Sequence, residues 1–188
     1  VRNYAVFPTY SSSETIWPYG NIDDMFEWTY EGMNSINAST NQKMHAYFQA
    51  SEELLNTYVD WDLRLLYYIV NIETGSGNEM PMAYAKINTG TQYGLPQNAT
   101  GVFGRCLRLS EAYLNYAEAL AMIGNDLDAA TETLNDLREK RFNPEDYEDE
   151  TFATQEELIE FIRDERRREL CFEGHRWFDL RRWGMPSF

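Results

Sequence analysis

The clearest pattern of hydrophobic and polar positions lies in residues 105–141, where apolar residues recur every three to four positions. This spacing places them on one face of an α-helix, and it runs in two blocks, residues 105–124 and residues 127–141. Gly124 and Asn125 separate the blocks, and glycine suits the left-handed residue that ends many helices. The pattern therefore predicts two antiparallel helices joined by a short turn.

The first of these helices has two apolar faces. Ala117 and Ala121 form a face of small residues, which a second helix can approach closely. The other face is a stripe made of Leu109, Ala112, Tyr116, Ala119, Leu120 and Ile123. The second helix has a single stripe, made of Leu127, Ala130, Leu134 and Leu137. Two faces require two neighbours, so one hairpin of this tetratricopeptide-like kind cannot bury both.

A third helix is predicted over residues 156–174. Thr154 and Glu157 have the spacing of a capping box at its start. Its apolar face consists of Leu158, Ile159, Phe161, Ile162 and Phe172. Three acidic residues, at positions i, i+4 and i+8, fall on the same face: Glu165, Glu169 and Glu173. We expect these three carboxylates to be mostly buried.

Carboxylates on a buried face are compatible with two roles. Two of them could serve as acid and base in glycoside hydrolysis, which needs carboxyl groups roughly 5 to 9.5 Å apart. Alternatively, arginines hold all three, because an unpaired buried carboxylate is strongly destabilising. We favour the ion network, with arginines from the same helix or from Arg105 and Arg108, and with Trp177 and Phe178 closing the packing.

The remaining chain has no persistent period. Residues 1–50 are punctuated by prolines and glycines, which predicts irregular chain with a short helix at residues 21–31. Residues 56–71 read either as a helix at 60–66 followed by a strand or as a single element. Residues 73–104 are predicted to be a loop, and so is the acidic segment 142–152, a solvated linker.

The charge balance limits the possible partners. The chain of 188 residues has 16 lysines and arginines against 31 acidic residues, a formal net charge of −15. Such a charge repels phosphate backbones and anionic lipid headgroups, so we do not expect nucleic acid as a partner. No apolar run is long enough for a transmembrane helix, and no signal peptide is recognisable.

No cofactor or metal motif is present. Cys106 and Cys171 lack metal-ligand spacing, and we expect both to pack as small hydrophobic thiols. His45 and His175 are isolated, and the sequence contains no H-E-x-x-H, no G-x-S-x-G and no phosphate-binding glycine loop. The sequence therefore predicts neither a metal nor a cofactor.

Three stretches together resemble the C-terminal part of SusD/RagB-type proteins, the surface glycan-binding lipoproteins of Bacteroidetes. They are RLSEAYLNYAEALAMIGN, LNDLREKR and IRDERRRELCFEGHRWFDLRRWG. The resemblance is close over residues 105–184 and looser over residues 50–69. It implies a mainly helical scaffold of tetratricopeptide-like hairpins with long irregular loops.

The same resemblance implies a function. The family captures oligosaccharides or polysaccharides without cleaving them and passes them to a SusC-like TonB-dependent transporter in the outer membrane. Its members are held at the cell surface by a lipid anchor that follows an N-terminal signal. Neither the signal nor the anchor is found in this sequence, so we expect the chain to be a C-terminal portion of such a protein.

No binding residue can be transferred from the family, because its sugar-contacting residues vary with the glycan. Sugar rings stack their C–H faces on exposed aromatic rings, and loops commonly carry function. The predicted ligand-binding residues are Trp17, Tyr19, Trp28 and Tyr30, with Tyr84 and Tyr93 as further loop aromatics. We thus assign residues 1–104 to a ligand-binding region and residues 105–188 to a helical scaffold, both within one domain.

Two other functions fit the same sequence. The chain could be a protein-protein interaction scaffold whose aromatics all belong to the core and which has no glycan site. It could also be a glycosidase, if two carboxylates open onto one cleft.

Overall fold

A computed structural model describes residues 14–19, 36–37, 42–43, 50–73, 79–82 and 105–184. The strands in this part of the chain are β1 (Thr15–Tyr19), β2 (Ile36–Asn37), β3 (Gln42–Lys43), β4 (Val70–Glu73), β5 (Glu79–Met82) and β6 (Arg105–Arg108). The helices are α1 (Glu52–Leu55), α2 (Leu63–Tyr68), α3 (Leu109–Ile123), α4 (Leu127–Arg138), α5 (Gln155–Glu169) and α6 (Arg176–Arg182). A 3₁₀ turn, Glu139–Arg141, extends α4.

The described residues divide into two compact units. The first draws on residues 1–55 and 64–108, and the second on residues 56–63 and 109–188. In the first unit, the described strands form antiparallel pairs, β1 with β6, β2 with β3, and β4 with β5. Trp17 of β1 lies opposite Leu107 of β6, and a bulge interrupts the register between Thr15 and Trp17. The helical hairpin belongs to the second unit.

Two predicted boundaries were wrong because strand pairing overrode the local pattern. Residues 105–108 were expected to begin a helix, yet they form β6, which pairs with β1. The loop predicted at 73–104 contains β5, which pairs with β4. Periodicity within one segment carries no information about a distant strand that supplies backbone hydrogen bonds.

The segment at 56–71 follows the first of its two alternatives. A helix is followed by a strand, α2 and then β4, although α2 begins at Leu63 rather than at residue 60. The helix predicted at residues 21–31 lies outside the described residues.

The predicted hairpin is confirmed in the second unit, where α3 packs against α4 and α5. Ala117, Ala121 and Ala130 are completely buried, which lets the backbones of α3 and α4 approach closely. Large aliphatic side chains complete this core: Leu114, Leu134, Leu137, Leu158, Ile162 and Leu170. The segment 142–152 then leads from the 3₁₀ turn to α5.

Most of the longer stripe of α3 faces away from this core, although Leu120 packs partly against it. Leu109 is 42% exposed, Tyr116 is 59% exposed and Ile123 is 65% exposed. The smaller face, with Ala117 and Ala121, is the one that packs inside the unit. One helix of this unit therefore presents an apolar stripe to solvent.

The turns and helix starts are fixed by local hydrogen bonds. Gly124 has a left-handed φ of 73°, and the Gln155 side chain donates to the Ala121 carbonyl at 2.8 Å. The Asp126 carboxylate accepts from the Ala129 amide at 2.9 Å, and this caps α4. The Thr154 hydroxyl accepts from the Glu157 amide at 3.2 Å, so the predicted cap of α5 is confirmed.

The third helix is shorter than predicted. It ends at Glu169, and the expected continuation to residue 174 is wrong. Phe172 and Gly174 have left-handed φ values of 64° and 84°, which a helix cannot contain. The chain turns there and enters α6.

Candidate functional site

The two buried glutamates of α5 are held by arginines. Glu165 is fully buried, and its Oε2 accepts from Arg138 Nη1 at 2.8 Å. The same oxygen accepts from Arg168 Nε at 3.0 Å and from Arg168 Nη2 at 2.8 Å. The Arg138 guanidinium lies over the rings of Phe142 and Phe161, at 5.1 and 4.8 Å from their centroids. A single carboxylate thus ties α5 to the end of α4.

Glu169, one turn further along α5, makes a two-pronged ion pair. Arg141 donates from Nε to Oε2 and from Nη2 to Oε1, both at 2.9 Å, and the Glu169 side chain is fully buried. Two parallel, charge-assisted hydrogen bonds of this kind add both energy and geometric specificity to the pair. The predicted ion network is therefore confirmed at Glu165 and Glu169.

The expected arginine from the same helix is present, because Arg168 of α5 holds Glu165. Other details of the prediction need correction. Arg138 of α4 and Arg141 of the 3₁₀ turn are further partners, and Arg105 and Arg108 lie on strand β6 rather than on a helix. Glu173 lies in the turn after α5 and is only partly buried, because the helix has already ended. Glu165 and Glu169 are shielded from solvent and neutralised, so neither can act on a substrate.

The end of the motif forms a second network. The Asp179 carboxylate accepts from Arg166 Nε at 2.8 and 2.9 Å and from Arg182 Nε at 3.0 Å. Arg182 also donates to both oxygens of Glu118 on α3, at 2.7 and 2.6 Å, and Trp183 Nε1 donates at 2.9 Å. These contacts fasten α6 to α3 and α5, so most polar residues of the motif stabilise the fold.

Two groups in or beside this network, Glu118 and His175, titrate below neutral pH and have shifted pKa values. Burial raises the pKa of Glu118, but the hydrogen bonds from Arg182 and Trp183 and the nearby guanidinium charges outweigh it, so the pKa lies below its ordinary value. Burial lowers the pKa of His175, and the Glu111 carboxylate, 3.8 Å from Nδ1, offsets this only in part. Both groups are therefore sensitive to acid.

The aromatic residues of the motif do not close the packing. Trp177 is 49% exposed and Phe178 is 70% exposed, so that prediction was wrong. Leu180 and Asp179 are the residues of α6 that are buried instead. Cys171 is a buried thiol with its Sγ 3.5 Å from the Tyr58 hydroxyl, whereas only the backbone of Cys106 is described.

The predicted ligand-binding aromatics are described only in part. Trp17 lies on β1 and is 64% exposed, opposite Leu107, which is 41% exposed. Directly opposed residues of antiparallel strands share a face, so these two side chains form one apolar surface. The backbone of Tyr19 lies on β1, and its side chain is outside the description. Trp28 and Tyr30 lie outside the described residues, as do Tyr84 and Tyr93.

Sequence reasoning missed a pocket beside the acidic segment 142–152. Its volume is about 370 Å³, and Trp61, Val59 and Phe142 supply its apolar wall. Its polar wall consists of Arg138, Glu145, Asp146, Tyr147, Glu148, Asp149 and Glu150. Trp61 is 54% exposed, which marks it as a surface for contact rather than a core residue. The signal was weak, because a lone tryptophan in a short turn has no periodic pattern.

An adjoining cavity of about 690 Å³ shares part of this wall. It is lined by Asp128, Thr131, Glu132, Asn135, Asp136, Glu139, Tyr147, Asp149, Glu150 and Thr151. Burial and the Asp149 carboxylate raise the pKa of Tyr147, so its hydroxyl keeps its proton and donates to the Asn135 carbonyl at 3.0 Å. The segment 142–152 is a loop, as predicted, and most of its acidic residues are exposed. The Tyr147 hydroxyl anchors it to α4.

The residues that the structure describes contain neither a metal-binding cluster nor a membrane-spanning helix. No group of histidine, cysteine and acidic side chains there is arranged to hold a metal ion. None of the helices in the same ranges is long and apolar enough to cross a bilayer.

Comparison with known proteins identifies relatives. The sequence profile of the SusD family matches residues 8–187. No curated protein gives a significant match. Among solved structures, a SusD homolog from Bacteroides thetaiotaomicron VPI-5482 is similar with a TM-score of 0.63 and 24% identity, over 94% of this chain and 39% of that protein.

Two further structures are similar. A SusD-like carbohydrate binding protein from Bacteroides vulgatus ATCC 8482 has a TM-score of 0.62 and 21% identity, over 94% of this chain and 36% of that one. A SusD-like protein from Bacteroides fragilis NCTC 9343 has a TM-score of 0.62 and 19% identity, over 92% of this chain and 43% of that one. The chain therefore spans less than half the length of these proteins, and the similarities establish its fold as a mainly helical, tetratricopeptide-like scaffold.

Proposed function

Because this chain belongs to the SusD family, we propose that it captures an oligosaccharide without breaking a glycosidic bond. The observation that carries the proposal is the family match over residues 8–187. The burial and neutralisation of Glu165 and Glu169 support the non-catalytic part, since these glutamates were the acid and base considered for hydrolysis.

The setting of this activity is also a proposal. Capture takes place at the bacterial cell surface, on the outer membrane, where the complete protein is held by a lipid anchor. The glycan then passes to a SusC-like TonB-dependent transporter. Membership of the family supports both statements.

We place the glycan site in residues 1–104, on the predicted aromatics Trp17, Tyr19, Trp28 and Tyr30. The exposed indole of Trp17 supports this, because it lies beside Leu107 on a sheet surface rather than in a core. A flat aromatic ring loses little entropy on contact with a sugar. Stacking and neutral hydrogen bonds would carry the affinity, so it should depend little on salt.

Glycan-array screening of the full chain, followed by calorimetry, tests the proposal. We expect Trp17→Ala to weaken the best glycan by about tenfold, because it removes a stacking surface. Trp28→Ala should have a similar effect. The matched control is Trp177→Ala, which removes an exposed indole of α6 and should leave the affinity unchanged.

If Trp17→Ala and Trp28→Ala both stay folded and bind like the parent, the site lies elsewhere in the chain. Release of reducing sugar from a bound glycan would contradict the non-catalytic proposal.

The alternative function, a protein-protein interaction scaffold, is favoured by one observation. The apolar stripe of α3 that includes Leu109, Tyr116 and Ile123 is exposed, as in a helical repeat that lacks a neighbour. The same array separates the two functions. A folded chain that binds no glycan would favour the scaffold, whereas a glycan response lost with the loop aromatics would favour capture.

A further inference from the structure

We propose that the pocket lined by Trp61 and the acidic segment, hereafter the Trp61 pocket, binds a protonated amino-sugar unit. The inference rests on the proposed function in one respect, namely that the ligand is a glycan. The pocket is distinct from the Trp17 surface, because every residue that lines it belongs to the second unit.

The apolar wall of the pocket fits the flat face of a pyranose ring. Trp61 is 54% exposed and Val59 is 42% exposed, while Phe142 is buried behind them. The volume of about 370 Å³ lies in the range of small-molecule sites, roughly 300–1,000 Å³. An exposed indole in a concave surface offers both a stacking plane and attraction for a cation.

The polar wall is strongly acidic, and two of its carboxylates have no hydrogen-bond or ion-pair partner among the described residues. Glu150 is paired with Arg138 at 2.7 Å, and Asp146 accepts from the Asn143 amide at 3.0 Å. Neither Glu145 nor Glu148 makes a hydrogen bond or ion pair with any residue that the structure describes. The adjoining cavity adds further carboxylates to the local field, those of Asp128, Glu132, Asp136 and Glu139. A cationic ligand complements this surface.

Arg138 is the only cation among the described residues that line the pocket. It is 7% exposed, and its two terminal nitrogens donate to Glu165 and Glu150 at 2.8 and 2.7 Å. Its charge is therefore compensated within the protein, and the wall of the pocket stays acidic.

These features together select the ligand class. The carboxylates favour an ammonium group, and the exposed indole favours the flat face of a sugar ring. An amino sugar with a free amine provides both, whereas an N-acetylated sugar lacks the charge and a basic peptide lacks the flat ring.

Calorimetry on the full chain tests this with a trimer of β-1,4-linked glucosamine and its fully N-acetylated counterpart. The measurement is made at mildly acidic pH, where the sugar amines are protonated and most exposed carboxylates are ionised. We expect the glucosamine trimer to bind at least about tenfold more tightly than the acetylated trimer. Its affinity should fall as salt is added.

Variants locate the site. Trp61→Ala, and separately the double change Glu145→Gln with Glu148→Gln, should each weaken the glucosamine trimer by about tenfold or more. The controls are Trp177→Ala and Glu160→Gln, which change an exposed indole and an exposed carboxylate on other elements and should retain parental affinity. In NMR spectra, the Trp61 indole N–H signal should shift on titration.

Several outcomes would overturn the inference. Equal binding of the two trimers would show that the charge of the amine plays no role. Parental affinity in folded Trp61→Ala would show that the Trp61 pocket is not the site. A tri-lysine peptide that binds as tightly would show simple cation attraction. Failure of the glucosamine trimer together with a neutral glycan bound through Trp17 would reject this inference while supporting the proposed function.

Discussion

Glu165 and Glu169 show what a buried charge requires of its surroundings. Each carboxylate is completely buried, and each receives hydrogen bonds from arginines that are themselves nine-tenths buried. Removing such charges from water is costly, and the geometry of several short hydrogen bonds offsets that cost. The pairs therefore link α5 to α4 and the 3₁₀ turn only while both partners are present.

We predict that Glu169→Ala destabilises the protein by about 3 kcal/mol or more, because it leaves the buried Arg141 guanidinium without its carboxylate. Urea denaturation of the variant and the parent measures the change in the free energy of unfolding. Glu160→Ala, at a side chain 75% exposed, should change it by less than about 1 kcal/mol.

A double change checks the mechanism. Replacing Glu169 and Arg141 together by leucine should cost less than Glu169→Ala, because no unpaired charge then remains. If Glu169→Ala melts within about a degree or two of the parent, the carboxylate is solvated and the buried pair does not stabilise the fold.

At the scale of the element, α3 shows how one helix divides its apolar residues. Its inner face combines the small Ala117 and Ala121, where α4 crosses closely, with the larger Leu114, and all three are fully buried. Its outer stripe has larger side chains but is exposed at Tyr116 and Ile123. Within the second unit, the size of a side chain therefore does not indicate which face is buried.

We predict that Tyr116→Lys and Ile123→Lys each change the free energy of unfolding by less than about 1 kcal/mol, because the side chains are already in contact with water. By contrast, Leu114→Ala should cost about 2–5 kcal/mol, since it opens a cavity in the core. Denaturant unfolding of the three variants gives these values. If Tyr116→Lys lowers the free energy of unfolding as much as Leu114→Ala does, the outer stripe of α3 is buried rather than exposed to water.

At the scale of the whole molecule, α3, α5 and α6 are joined by groups that titrate in acid. The folded-state pKa of Glu118 lies below its ordinary value. The Glu118 carboxylate therefore stabilises the fold above a pH of about 4.3, and this stabilisation is lost as the pH falls further. The folded-state pKa of His175 also lies below its ordinary value, so the folded state binds its proton less readily than the unfolded state does.

We therefore predict two declines in the melting temperature. The first begins as the pH decreases below about 6.5, because of His175, and the second begins below a pH of about 4.3, because of Glu118. His175→Asn should remove most of the first decline, and Glu118→Gln should flatten the second. Thermal unfolding followed by circular dichroism at a series of pH values measures both. A parent whose melting temperature is constant down to pH of about 4.5 would contradict the assignment to His175.

The sequence alone determined the features that depend on neighbours along the chain. The α3–α4 hairpin and the cap at Thr154 follow from apolar spacing and short-range hydrogen bonds, which repeat within a few residues. The burial of Glu165 and Glu169 followed from the same spacing, because both lie on the face of Leu158 and Ile162. The family resemblance was carried by the same segments.

Only the tertiary structure decided the features that depend on distant parts of the chain. The partners of Glu165 and Glu169 on the preceding elements are 27 and 28 residues away, and many other arginines had the right charge. The pairing of β1 with β6 converted a predicted helical turn into a strand, and the outer stripe of α3 proved to be exposed. The Trp61 pocket exists because a short turn lies beside the acidic segment. Local pattern specifies which residues become buried or helical, whereas long-range packing selects their partners.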